Sequence, residues 1–184
     1  MARAAKHRHQ LIETAMRLFR EQGYASTGLQ QILAESGAPK GSLYYYFPGG
    51  KEELGRAAIE LAGGKILEML RGVEERHPAD PVAFVRAYGK TMARWMAESG
   101  FQSGCPVATT LLETVPASPE MTETGNRVLD GWVDVISRVF VAAGVRPREA
   151  RMRGEQVLAS MEGALLLARV RRSTRPILDV AKTI

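Results

Sequence analysis

The sequence predicts an all-helical protein of nine helices, on three observations. Apolar residues recur at three- and four-residue spacing along most of the 184 residues. Proline and glycine fall between those segments, where helices start and stop. The one strand-like run, residues 43–47 with three tyrosines and a phenylalanine, is too short and has no pairing partner nearby. It also follows a proline at a helix-start position.

Leu11, Ala15, Leu18 and Phe19 lie at i, i+4, i+7 and i+8 and define the inner face of a first helix, which ends near Gly23. Ser26 and Thr27 offer an N-cap to a short second helix containing Ile32 and Leu33. Gly37 and Ala38 make a tight connection, and Pro39 suits the first turn of a brief third helix over residues 40–46, closed by Pro48-Gly49-Gly50. A fourth helix covers about residues 51–76, with a Gly63-Gly64 pair in its middle. A fifth covers 81–99, with Phe84, Tyr88, Met92, Trp95 and Met96 along it. A short sixth spans 105–115. The seventh, 118–143, repeats Val128, Trp132, Val135 and Val139 in register, and the eighth, 147–172, repeats Val157, Met161, Ala164, Leu165 and Ala168. A ninth covers 175–183. The pattern holds no internal repeat and no low-complexity tract.

Composition excludes several classes. Hydrophobic residues make up 45% and charged residues 24%, ordinary globular values. No stretch of about 18 apolar residues occurs, since Glu162 and Arg169 interrupt the best candidate at residues 157–170. No membrane partner is expected. The first residues carry charge throughout and do not resemble a secretory signal, and a single cysteine, Cys105, leaves no disulfide framework, so the expected setting is cytoplasmic. Residues 1–51 hold seven Lys or Arg (Arg3, Lys6, Arg8, Arg17, Arg20, Lys40, Lys51) against three acids, whereas the remainder is nearly neutral. A basic head on a neutral body points to an anionic polymer, nucleic acid first.

A short helix, a glycine-containing turn and a second short helix with a basic, small and hydroxylated start is the layout of a helix-turn-helix. Gly41 and Ser42 let the backbone approach base edges, and Lys40 brings a charge for phosphate or guanine. Tyr44 and Tyr45 end in hydroxyls that reach phosphate oxygens.

At these residues the chain resembles the tetracycline-repressor (TetR) family of bacterial transcriptional regulators. The resemblance runs through Gly23-Tyr24-Ala25-Ser26-Thr27, then from Ile32 through Lys40-Gly41-Ser42-Leu43-Tyr44-Tyr45-Tyr46-Phe47, and on to Lys51-Glu52-Glu53-Leu54. Tyr46 stands where many members have His, and the Pro48-Gly49-Gly50 spacer is one residue longer than the commonest. Gly104-Cys105-Pro106-Val107 looks like a segment of the subgroup of lincomycin-resistance and flavonoid-responsive repressors. The resemblance implies an N-terminal DNA-binding domain, residues 1–50, and a C-terminal effector-binding and dimerisation domain, residues 51–184. It implies DNA contacts by Thr27, Lys40, Gly41, Ser42, Tyr44, Tyr45, Tyr46 and Lys51.

It also implies an effector cavity among helices 4 to 7, for which Tyr88, Met92, Trp95, Phe101, Cys105 and Trp132 are candidate walls and Glu113 a candidate polar anchor. Such a lining favours a largely apolar or aromatic small molecule. Helix 8 carries apolar residues on more than one face and so needs two partners. Leu158, Met161, Leu165 and Leu166 are the candidates for a homodimer interface.

No enzyme chemistry is expected. Gly49-Gly50-Lys51 fails the phosphate-loop pattern, having Tyr45 and Glu52 where Gly and Ser or Thr are required. His7 and His9 have no third ligand nearby, and Cys105 has no base beside it, so no metal, cofactor or catalytic residue is assigned. The sequence therefore predicts a ligand-responsive transcriptional regulator, a repressor working as a homodimer on a palindromic double-stranded operator. A non-specific architectural DNA-binding protein, or a small-molecule binder with a relic helix-turn-helix, are the other classes. A salt-dominated affinity without palindrome preference marks the first, and ligand binding without an operator marks the second. Gly63-Gly64 has two accounts: a hinge that eases bending of helix 4, or close packing against a neighbour.

Overall fold

Nine helices and no strand occur among the described residues, 2–183, of the computed structural model. They are α1 (Ala2–Gln22), α2 (Leu29–Ser36), α3 (Ser42–Tyr46), α4 (Gly50–Arg76), α5 (Pro81–Glu98), α6 (Pro106–Thr114), α7 (Pro119–Ala142), α8 (Pro147–Arg171) and α9 (Arg175–Thr183). By packing, the chain forms two units. One comprises the residues up to Gly64 with Pro106–Val128, and the other Lys65–Cys105 with the residues from Leu129 on.

The first unit is organised by α1. Leu11, Ala15, Leu18 and Phe19 are buried as their spacing requires, and Ile32, Leu43, Phe47, Leu54 and Ala58 close around them from α2, α3 and α4. Gly23 adopts the left-handed conformation (φ 91°) that stops α1 and sends the chain toward α2. The cap of α2 differs from expectation. Its N-cap is Gly28, while Thr27 lies one residue outside and is fully buried. Likewise α3 starts at Ser42, because Pro39–Gly41 form a turn in which the Ser42 N–H donates to the Pro39 carbonyl at 2.8 Å.

The two glycines of the Gly63-Gly64 pair have different surroundings in the same unit. Helix α4 runs unbroken through the pair. A Cβ at Gly63 would lie 2.5 Å from Val128 Cγ1, whereas one at Gly64 meets nothing within 4 Å. Close packing is the role of Gly63. A valine is stiff about χ1 and has little room to yield, so Gly63→Ala is expected to destabilise by ~1–3 kcal/mol through overpacking. Gly64→Ala is expected to stabilise by about 1 kcal/mol, the ordinary gain of removing glycine from a helix interior. Chemical denaturation of the two single variants checks both signs.

In the second unit Pro81 occupies the first turn of α5 and the Asp80 carboxylate accepts from the Ala83 N–H at 2.9 Å, a side-chain N-cap. Phe84, Tyr88, Met92 and Met96 are buried along α5, while Trp95 is turned to the surface. Helix α9 packs on α5 and α8; Gly89 of α5 faces Ala181 so closely that a Cβ there would lie 2.6 Å from the Ala181 Cβ. Trp132, Val135 and Val139 of α7 are buried as their register predicts. For α8 the expected division of faces needs correction. Leu158, Met161 and Leu165 are buried within their own protomer and offer a partner almost no surface; of the four expected interface residues only Leu166 is exposed.

Candidate nucleic-acid interface

The five residues of α3 are placed by two anchors. Leu43 and Phe47 are buried in the core of the first unit, and the Phe47 N–H closes the helix on the Leu43 carbonyl at 2.8 Å. The helical period then turns Tyr44 and Tyr45 outward, where they are 59% and 77% exposed. Two of the three tyrosines of α3 therefore leave most of their ring surface outside the core of the protomer. Lys40 and Gly41 are exposed at the start of the helix and Ser42 is half-buried. Tyr46, also half-buried, packs edge-on against Tyr45 with ring centroids 4.9 Å apart, which restrains the more exposed ring.

Two expected DNA contacts are also engaged with the α1–α2 turn. The Thr27 hydroxyl donates to the Gly23 carbonyl at 2.7 Å and accepts from Gln22 Nε2 at 3.1 Å. It fixes the α1–α2 turn from inside and has no surface for a phosphate. Lys51 is half-buried, with Nζ 4.5 Å from the centroid of the Tyr24 ring and donating to the Ala25 carbonyl at 3.3 Å. Burial holds its ammonium below the usual lysine range, against the opposing pull of Glu113. Both residues shape the turn that carries α2.

Glu113, expected among the effector-binding residues, belongs to that turn as well. Its carboxylate accepts from the Tyr24 N–H at 3.0 Å and the Ala25 N–H at 2.7 Å. Gly23 permits this approach, since a Cβ there would lie 2.6 Å from Glu113 Oε1. Glu52 hydrogen-bonds the Ser118 hydroxyl, and Ser118 in turn accepts from the Met121 N–H at 3.0 Å in the first turn of α7. Helix α6 thus holds the segment between α1 and α2, and the start of α7 holds the first turn of α4. The sequence carries no signal for this, because Glu113 lies 88 and 89 residues away from its partners.

The other effector candidates lie in the second unit. Tyr88, Met92, Cys105 and Trp132 are buried, Phe101 is half-buried in a left-handed conformation (φ 63°), and Trp95 is at the surface. A polar group missed by sequence joins them: burial pushes the Glu162 carboxyl of α8 up, against a hydrogen bond from the Cys105 thiol that favours its ionised form. Burial first, then Glu162 and Cys105, pushes the Tyr88 phenol well up. A groove of about 810 Å³ in the same unit, between the start of α5 and the start of α8, contains none of these residues. Among the described residues no group of three His, Cys, Asp or Glu is placed to hold a metal, and no helix is long and apolar enough to cross a membrane.

Glu162 gives a pH test. A carboxyl with its folded-state pKa raised above 4.5 binds more protons folded than unfolded, so stability falls as pH rises from about that value through the folded pKa. Glu162→Gln removes the penalty. Its Tm is expected to exceed the parent's near pH 8 and to converge on it below pH 4.5, read by thermal scans across that range.

Comparison with known proteins places both parts of the chain. Residues 11–58 match the family model described as bacterial regulatory proteins, tetR family. Residues 81–183 match the model described as transcriptional regulator LmrA/YxaF-like, C-terminal domain. The chain is 36% identical to the uncharacterized HTH-type transcriptional regulator YxaF of Bacillus subtilis, over 96% of this chain and 92% of that one. It is 33% identical to the HTH-type transcriptional regulator LmrA of the same organism, over 96% and 94%. The crystal structure of a regulatory protein TetR from Rhodobacter sphaeroides superposes with a TM-score of 0.83 at 26% identity, covering 95% of each chain.

Proposed function

The chain belongs to the TetR family of bacterial regulatory proteins, with an LmrA/YxaF-like C-terminal domain, and on that premise we propose that it is a repressor released from a palindromic operator by a largely apolar or aromatic small molecule. Family and relatives are transcriptional regulators, DNA-binding through the helix-turn-helix, rather than enzymes. The observation that most supports the operator reading is the outward display of Tyr44 and Tyr45 beside exposed Lys40 and Gly41. In this reading Lys40, Gly41 and Ser42 approach base edges, and Tyr44, Tyr45 and Tyr46 hold the flanking phosphates. Residues 1–50 carry DNA binding, residues 51–184 carry effector binding and dimerisation, and the protein acts in the cytoplasm. Tyr88, Met92, Trp95, Phe101, Cys105 and Trp132 serve the effector, joined by Glu162 in place of Glu113.

Two protomers would present two copies of α3 to successive major grooves, so the half-sites stand about one turn, ~34–36 Å, apart or a multiple of it. Effector binding favours a conformation that no longer fits that spacing, with a coupling of ~1–3 kcal/mol. The partner face on α8 consists of Met152, Gln156, Ala159, Ser160, Gly163, Leu166, Leu167 and Val170. These lie at helical spacing and are all exposed, with small residues in the middle. Leu166→Glu combined with Val170→Glu is expected to give a monomer of unchanged helicity by sedimentation. A persisting dimer rules this face out.

Sequencing of genomic fragments retained by the purified protein, with and without a panel of aromatic small molecules, tests the whole proposal. A shared palindrome lost on addition of a compound is expected. Retention of unrelated fragments in proportion to their length overturns it.

A further inference from the structure

The exposed bases at the start of α1 are left without a use by the contacts assigned so far. Lys6, His7, Arg8 and His9 precede the first acid of the chain, Glu13. His7 is engaged with Gln10 at 3.1 Å and His9 with Glu13 at 3.3 Å. Lys6 and Arg8 are exposed, and neither has a carboxylate partner among the described residues. Arg8 is also held in place: its guanidinium carbon lies 5.4 Å from the centroid of the Phe47 ring. Phe47 terminates α3, so the basic start of α1 lies beside the C-terminal end of the helix that displays Tyr44 and Tyr45. Lys40 stands at the opposite end of the same helix. Positive charge therefore brackets α3 on both sides.

We infer that Lys6 and Arg8 extend the DNA interface beyond the helix-turn-helix by binding backbone phosphates flanking the segment that α3 reads. The inference rests on the operator-binding reading and adds to it a second anchoring point at the far end of α3. Duplex DNA is the occupant that fits, because the surface is continuous with the tyrosine face and matches a regular array of negative charge. These contacts carry no sequence information; they fix how α3 is seated in the groove.

The experiment is a titration of retained operator DNA and of an unrelated duplex over a range of salt concentration, with wild-type protein, Lys6→Ala, Arg8→Ala and the double variant. Each lost phosphate contact is expected to reduce the steepness of log affinity against log salt by about 0.9, so a single variant, which loses one contact in each protomer of the dimer, reduces it by roughly 1.8 and the double variant by roughly twice as much. The loss falls equally on both duplexes. Lys6→Arg and Arg8→Lys keep the charge and are expected to keep the slope, which separates phosphate binding from the support Arg8 gives Phe47. Lys6→Ala removes no internal contact and excludes a folding effect.

An unchanged slope in the double variant, with wild-type protein binding normally, overturns this inference and leaves the operator reading standing. A wild-type protein that retains no duplex overturns both. Loss confined to the operator sequence also overturns the inference, since it assigns base reading rather than phosphate anchoring to α1.

Discussion

Tyr44→Ala combined with Tyr45→Ala is expected to reduce affinity for a single half-site about a hundredfold, and for the two-half-site operator by more, while leaving Tm nearly unchanged. Hydrogen bonds to a charged group contribute ~1.5–3 kcal/mol each, and at the lower end two of them per protomer amount to about that factor. Stability is spared because both rings are exposed, at 59% and 77%, and what they lose inside the protein is the edge contact between Tyr45 and Tyr46. The corresponding Phe variants keep the rings and remove the hydroxyls. They are expected to bind as weakly as the Ala variants if phosphate contact is what matters. Anisotropy titrations on a retained fragment, alongside thermal scans, decide the matter. Undiminished affinity in the double Ala variant contradicts the assignment of α3 as the reading element.

Glu113→Ala is the second large effect, and its sign is informative. Removing a negative charge from a DNA-binding protein strengthens binding if charge alone acts. The structure leads to the opposite result. The carboxylate holds the Tyr24 and Ala25 N–H groups, so its loss frees the turn on which α2 depends. Charge-assisted bonds at a solvent-exposed site fall at the weak end of their range, and the pair is expected to contribute about 1.5–3 kcal/mol, or tenfold to a hundredfold in affinity. The salt slope stays at the wild-type value, because Glu113 meets no phosphate. Glu113→Gln keeps an acceptor and should fall between. Tighter binding by Glu113→Ala reduces the contact to a passive one.

Much of the fold was legible because helix boundaries in this chain are marked by strong local chemistry. Pro81, Pro147 and the Arg175-Pro176 start place α5, α8 and α9 within a residue of expectation, and apolar register identifies what is buried on α1 and α7. Thr27 was misread because a hydroxyl just before a helix looks the same in sequence whether it caps that helix or bonds backward to Gly23. The surroundings of Lys51 were hidden for a related reason. Its position relative to α3 suggests a phosphate contact, and only the folded turn brings Tyr24 and Ala25 to its ammonium. On α8, nearly every position of the central turns is apolar or small, so periodicity could not separate the face turned inward, with Met161 and Leu165, from the face left outside, with Leu166 and Val170. Glu162 was hidden in the same stretch.

At five residues, α3 is far below the ~12–15 needed for a helix to persist unaided in water. Its direction is borrowed from Leu43 and Phe47, clamped among Leu11, Ala15 and Ile32 of its neighbours. Transplanting residues 39–47 into a foreign scaffold would therefore move the letters without the page they are written on. On the operator-binding reading, a chimera that retargets another regulator must import the whole segment through Ala58, which shares one core with Leu43 and Phe47, rather than the tyrosines alone.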